Sequence, residues 1–289
     1  MHFVILAHAG DETALRVYAA LSERHGRPNV KLVSGEELAL APHWTHRLEG
    51  PSSFTELRLP DGTDLASNRL GVVFNRLQYA PMPHFAASAP EDRDYATTEM
   101  YAFWLSWLAS LACPVVNRPT PRGLGTQNRS LAEWLCLAAR AGLPARSYYF
   151  TSDPRRFPHK EYAAYRRLPG GATHGAAHFE PVERLSVERH PAFFLDALGG
   201  QRQSLLVAGQ RVVGDLAVRY GEAAQRLAIQ AGCDLLEVVF GPAMHEAGAP
   251  RGAAWNVSEI TSFPQVRDGA SVAAIVDLLE AHQARMVPA

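Results

Sequence analysis

The first apolar run, Phe3 to Ala7, gives way at His8-Ala9-Gly10-Asp11-Glu12 to a pattern of helical period. Leu15, Val17, Tyr18 and Leu21 then fall on one face of a helix from Thr13 to about His25, which Gly26 and Pro28 stop. Val30 to Val33 returns to a strand, so the opening predicts a βαβ unit and, with it, a parallel sheet. Phe54 to Leu59 alternates in the manner of a half-buried strand and runs into the turn signal Pro60-Asp61-Gly62, the arm of a hairpin. Gly71 to Arg76 reads as a buried strand with polar residues at its end, where α/β proteins place ligand contacts.

A polar, proline-bearing loop from Tyr79 to Asp92 precedes the clearest helix, Asp94 to Ser110. Its stripe of Tyr101, Trp104, Leu105 and Leu108 belongs to a core. Pro114 to Pro119 is a short strand, Thr120 to Asn128 a loop, and Ser130 to Ala141 a helix that Gly142 ends. Tyr148 to Pro191 lacks sustained periodicity and is expected to be exposed and partly mobile. Its Arg155, Arg156, Lys160, Arg166 and Arg167 lie near Gly170-Gly171; such side chains neutralise phosphate or simply form a solvated face.

Gln203 to Val213 forms a strand pair around Gly209, Glu222 to Ala231 a helix, and Ser271 to about Gln283 a last amphipathic helix. Between these helices two apolar segments, Asp234 to Phe240 and Trp255 to Ile260, flank a Gly/Ala/Pro-rich connection and read as a hairpin. Each carries one acid, Glu237 and Glu259. A pair of carboxylates at one end of a cleft suits a hard cation; the alternative is two solvated strand-end residues.

Composition narrows the classes. A formal net charge of -1 argues against a nucleic-acid protein, and no apolar run reaches the roughly 20 residues of a membrane span. No basic leader precedes the first strand, so no secretory signal is expected. Cys113, Cys136 and Cys233 are too scattered for a disulfide framework or a metal knuckle, which makes a reduced, cytoplasmic setting the expectation. Lysine occurs only at Lys31 and Lys160, so chemistry that needs several lysines is excluded.

Two resemblances arise from the motifs. His8 to Glu12 resembles the His-Pro-Asp-Asp-Glu signature of LmbE-type zinc-dependent deacetylases, which would make His8 and Asp11 zinc ligands but puts Gly10 at the base position. The other reading of Asp11 is a cap on the following helix. His174 and His178 have a ligand-like spacing but sit among glycines.

The second resemblance runs through most of the chain: Val72-Val73-Phe74-Asn75-Arg76; Trp107 to Leu111; Pro114-Val115-Val116-Asn117-Arg118-Pro119; Leu131 to Pro144; Leu205 to Gly214; Ala231 to Leu236; and Val257 to Pro264. Together these resemble the ATP-grasp superfamily, in the branch of glutamate ligases and graspetide-type peptide ligases. The resemblance implies a mixed α/β and α+β fold. A Rossmann-like pre-ATP-grasp domain would occupy residues 1–118, and an ATP-grasp domain, shortened centrally between Phe150 and Gln203, residues 119–289.

It further implies ATP and magnesium as cofactors, phosphorylation of a substrate carboxylate, and displacement of that phosphate by an amine. Glu237 and Glu259 are the implied metal ligands. Arg129, Lys160 and Glu237 are the implied nucleotide contacts, and Arg211 and Lys160 the implied catalytic cations. Val239 stands where the family has an acidic ligand, and Thr261 where it has an asparagine. These departures support an alternative in which the fold survives as a catalytically degenerate peptide-binding or scaffold partner. Expected partners are a small-molecule or peptide carboxylate and a partner protein, with no nucleic acid and no membrane. An exposed Trp44 and the aromatic helix would serve a homo-oligomer.

Overall fold

The structure, a computed structural model, describes residues 2–50, 52–125, 128–151, 162–167, 179–181, 192–196, 198–243 and 255–286. The chain forms two compact units: Met1–Gln127 with Ala208–Arg211 and Ser262–Ala289, and Asn128–Val207 with Val212–Thr261.

The first unit opens with β1 (Phe3–Ala7), α1 (Glu12–His25), β2 (Val30–Ser34) and a short α2 (Gly35–Ala39). A three-stranded antiparallel sheet follows, β3 (His43–Glu49), β4 (Ser52–Arg58) and β5 (Asp64–Ala66), then β6 (Val72–Asn75), α3 (Pro90–Ser110) and β7 (Val115–Val116). The predicted βαβ unit is present, with β1 parallel to β2. It belongs to a parallel sheet in the order β2-β1-β6-β7. All five residues of β1 are buried, as expected of a central parallel strand covered on both faces. Val4, Leu6 and Val73 join one core with Leu57, Leu65, Trp104, Trp107 and Leu108, so α3 and the antiparallel sheet cover that side.

Several elements differ from their sequence reading. The aromatic helix begins at Pro90, because proline at the first helical position and the acidic Glu91 and Asp92 favour an N-terminus there. Trp44 is half-buried: its Nε1 donates to the Leu38 carbonyl (3.0 Å), and its ring meets Phe103 and Trp107 edge-on. It therefore packs against the core with part of its surface still accessible, rather than standing fully exposed. Leu15 turns outward from α1, whose buried positions are Thr13, Ala14, Val17 and Leu21.

The second unit contains α4 (Leu131–Ala141), then β8 (Tyr148–Thr151), β9 (Tyr162–Arg167), β10 (Phe179–Pro181) and β11 (Ala192–Asp196). These strands form a sheet of order β10-β9-β11-β8 with antiparallel pairings, so the stretch read as irregular contains ordered strands. Next come β12 (Gln203–Ala208), β13 (Arg211–Val213), α5 (Ala217–Ala231), β14 (Leu235–Pro242) and β15 (Trp255–Thr261), with sheet order β13-β12-β14-β15. Trp134, Leu135 and Ala138 of α4 and Ala224, Leu227 and Ala228 of α5 bury one face of this sheet, supplied by Leu205, Val207, Leu236, Val238, Phe240 and Ile260. Gly142 and Gly232 end the two helices in left-handed conformations (φ 87° and 66°), the geometry that glycine adopts without steric cost.

After β15 the chain rejoins the first unit through α6 (Gly269–Ala284), which packs on α1 and β6. A Cβ at Gly71 would collide with the His2 carbonyl and the Gln283 side chain, so only glycine admits this approach. The segment between β15 and α6 is pinned at three points. Asn117, in a left-handed conformation (φ 56°), donates from Nδ2 to the Ser262 carbonyl (2.6 Å), and Arg76 donates to that of Pro264 (3.1 Å). Thr13 Oγ1 accepts from the Val266 N–H (3.0 Å).

Candidate functional site

Side chains in a strand alternate between faces, and directly opposed residues of an antiparallel pair share a face. In β14 and β15 the even-numbered Leu236, Val238, Phe240 and Ile260 enter the helix-covered core. The opposite face therefore carries Glu237 and Val239 on β14 and Glu259 and Thr261 on β15. The register pairs Glu237 with Thr261 and Val239 with Glu259, which sets the two carboxylates on one diagonal of a four-residue patch. Glu237 and Val239 are half-buried and Glu259 is exposed, so this face is the accessible one.

The pairing slips beyond this point: Phe240 opposes Val257, leaving Ser258 as the extra residue of a β-bulge beside Glu259. Bulges re-aim side chains and are common at functional sites. The Ser258 hydroxyl is buried with no hydrogen-bond partner among the described residues. Sequence alternation located both glutamates, but the bulge has no composition signal and could only be seen in three dimensions.

Magnesium takes oxygen ligands and commonly uses one or two carboxylates, with phosphate and water completing its shell. Glu237 and Glu259 fit that pattern, and no described protein group engages the Glu259 carboxylate. Among the described residues no three His, Cys, Asp or Glu side chains converge as a cation cage.

The other candidates have different surroundings. Arg129, half-buried just before α4, donates to the carbonyl of Ala231 (3.3 Å), the last residue of α5, and lies over the Trp134 ring at 5.6 Å. Its charge sits at the negative end of that helix. Burial pushes the nearby Cys233 thiol up to about 12, so this cysteine is inert as a nucleophile near neutral pH. Arg211 is ion-paired with Asp277 of α6, which also holds Arg24 at 3.1 Å. Lys160 lies outside the described residues, as do His174 and His178. The other lysine, Lys31, is paired with Asp61, whose carboxyl it holds down at about 2.

The zinc reading of His8 and Asp11 is not supported. Asp11 caps α1 by accepting from Ala14 N–H at Oδ1 (2.9 Å), and its Oδ2 accepts from Arg76 Nε (2.7 Å). His8 uses Nε2 to accept from the backbone N–H of Gln78 (3.0 Å), and its ring stacks on Tyr79. Both are committed to the folding of the loops at the sheet's carboxyl edge. Arg76, read from the sequence as the polar end of a strand suited to ligand contacts, is instead buried and spent on Asp11 and the Pro264 carbonyl. Arg118 likewise works structurally, donating to the carbonyls of Ala109, Leu111 and Cys113 and closing the end of α3.

No helix among the described residues is long and apolar enough to cross a membrane. No protein-family model matches the sequence, and no curated protein matches it either. Solved structures do. A RiPP-associated ATP-grasp ligase from Chryseobacterium gregarium, in complex with ADP and a leader and core peptide, aligns with a TM-score of 0.71 at 13% identity, covering 100% of this chain and 98% of its own. The macrocyclase MdnC from Microcystis aeruginosa MRC, bound with precursor peptide MdnA, aligns at 0.73 and 12% identity, covering 97% of this chain and 100% of its own. The ATP-grasp ligase PsnB, complexed with a minimal precursor, Mg and ADP, aligns at 0.70 and 19% identity, with 98% of each chain covered. Across essentially its whole length, this chain has the fold of the ATP-grasp peptide ligases.

Proposed function

We propose that this protein is an ATP-dependent carboxylate–amine ligase acting on a peptide or amino acid. The observation that carries the reading is the diagonal of Glu237 and Glu259 on the accessible face of β14 and β15, within a fold shared with ligases solved with ADP, Mg and precursor peptides. Bound magnesium would neutralise phosphate charge as the γ-phosphoryl group transfers. Glu237 and Glu259 are the residues that would hold it, and Glu237 would also face the nucleotide. Arg129 and Lys160 are assigned to the nucleotide phosphates, and Arg211 and Lys160 to the reacting groups. In the reaction a substrate carboxylate oxygen bonds to the γ-phosphorus and ADP departs. An amine then attacks the activated carbonyl carbon, phosphate leaves with the electron pair of the broken C–O bond, and the proton lost from nitrogen ends on that phosphate.

A second reading has its own observation. Two positions of the four-residue patch, Val239 and Thr261, lack carboxylate or amide oxygens, which favours a peptide-binding partner without turnover. Thermal unfolding with and without ATP and magnesium separates the two. A nucleotide that binds only the folded state at about 100-fold above its Kd adds about 2.7 kcal/mol of stability. The ligase reading requires a rise in Tm that depends on both ATP and magnesium, together with ADP release on adding a peptide substrate. A Tm unmoved by millimolar ATP and magnesium would overturn it.

A further inference from the structure

A groove of about 600 Å³ lies in the first unit between the Met82–Ser88 segment and α3. Its floor is apolar: Met82 and Phe85 from the segment, Met100 and Phe103 from the helix, all half-buried. Asp92 and Glu99 stand on its wall, and among the described residues no basic side chain lines it. The charge extends beyond the groove, since α3 carries Glu91, Asp92, Asp94 and Glu99 against the single Arg93. Tyr95 stands on the same wall, 69% exposed.

An apolar trough with methionine and phenylalanine in its floor accepts side chains of varied shape, because the unbranched thioether repacks at little cost. A rim of one sign selects the charge of the occupant and speeds its encounter. We propose that this groove docks a peptide segment that pairs apolar side chains with arginine or lysine. The apolar side chains would fill the trough and the cations would face Asp92 and Glu99. This is a partner-binding function separate from the β14–β15 patch, and it does not depend on the ligase reading.

The test uses the full chain and a fluorescein-labelled amphipathic peptide of leucine and arginine, with a control peptide carrying glutamate at each arginine. Fluorescence anisotropy at low ionic strength should show the arginine peptide binding at least about tenfold more tightly than the control. The double variant Asp92→Lys/Glu99→Lys should weaken that binding about tenfold or more. Tyr95→Ala, at an exposed position that folding does not need, should weaken it at all salt concentrations. Any ATP-dependent stabilisation should be the same in wild type and variants, so loss of groove binding and failure of the ligase reading are distinguishable. Equal binding of the two peptides, or binding untouched by both variants, would overturn the proposal. So would concentration-dependent dimerisation in light scattering that the double variant abolishes, which would assign the groove to a second copy of the chain.

Discussion

Glu259 of β15 lies directly across the strand pair from Val239 of β14. An exposed carboxylate thus faces an aliphatic side chain at the centre of the proposed metal patch.

Glu259→Gln keeps the shape and removes the charge. Because the side chain is exposed, circular dichroism and urea midpoint should match wild type. ADP formation, followed by a coupled assay, should fall by about a hundredfold or more if the carboxylate stabilises transferring phosphate through a cation. Unchanged turnover would remove Glu259 from the metal set.

Val239→Glu places a second carboxylate opposite Glu259. Like charges directly opposed in a sheet repel, so this variant should melt below wild type in the presence of a chelator. Magnesium should recover more of its Tm than it adds to wild type. Differential scanning calorimetry with and without the metal measures the difference; equal increments would count against a cation at this patch.

Arg211→Ala removes one surface ion pair and Asp277→Ala removes two, those with Arg211 and Arg24, each contributing about 1 kcal/mol or less to stability. If Arg211 acts on the reacting groups, Arg211→Ala lowers turnover and Asp277→Ala does not. Parallel losses in the two variants would reduce Arg211 to a structural partner of α6.

The guanidinium of Arg76 is 1% exposed, and its pair with Asp11 is the most deeply buried ion pair among the described residues. Burial pulls the guanidinium down from its ordinary range, and Asp11 opposes that shift. Removing one member strands the other charge. Arg76→Met and Asp11→Ala should each cost about 3–5 kcal/mol in urea unfolding, and Asp11→Ala should lose about 1 kcal/mol more with its helix cap. The double variant Arg76→Met/Asp11→Asn should be more stable than Arg76→Met alone.

Desolvation pulls His46 below its ordinary value, with Nδ1 against Thr55 (2.7 Å) and Nε2 against Ser106 (3.1 Å). A base depressed in the folded state binds more protons when unfolded. Its contribution to stability is therefore complete above about pH 6.5 and lost as the pH falls through the folded-state value. Between pH 7.5 and 5.5 the urea midpoint of wild type should drop more than that of His46→Gln. Equal drops would mean that other groups carry the acid sensitivity.

Much of this fold was legible in local pattern. The alternation of Asp234–Phe240 and Trp255–Ile260 was enough to put both glutamates on strands, because one face had to be apolar to meet α4 and α5. Pro90 followed by Glu91 and Asp92 was a readable helix start that the polar character of the loop obscured. β3 was harder, since the residues alternating with His43, Thr45 and Arg47 are a half-covered Trp44 and His46 and an exposed Leu48, so its polarity resembled a loop. The links from Asp11 to Arg76 and from Asn117 to Ser262 join positions 65 and 145 residues apart, and no local spacing encodes them.

Because α6 packs on α1 and β6, and Ser262, Pro264 and Val266 are tied to Asn117, Arg76 and Thr13, the parallel sheet of the first unit takes part of its cover from residues that follow the second unit in the chain. Contacts of such long sequence separation close large loops, so the chain entropy spent on this sheet exceeds what its short β1–α1–β2 connections alone would cost.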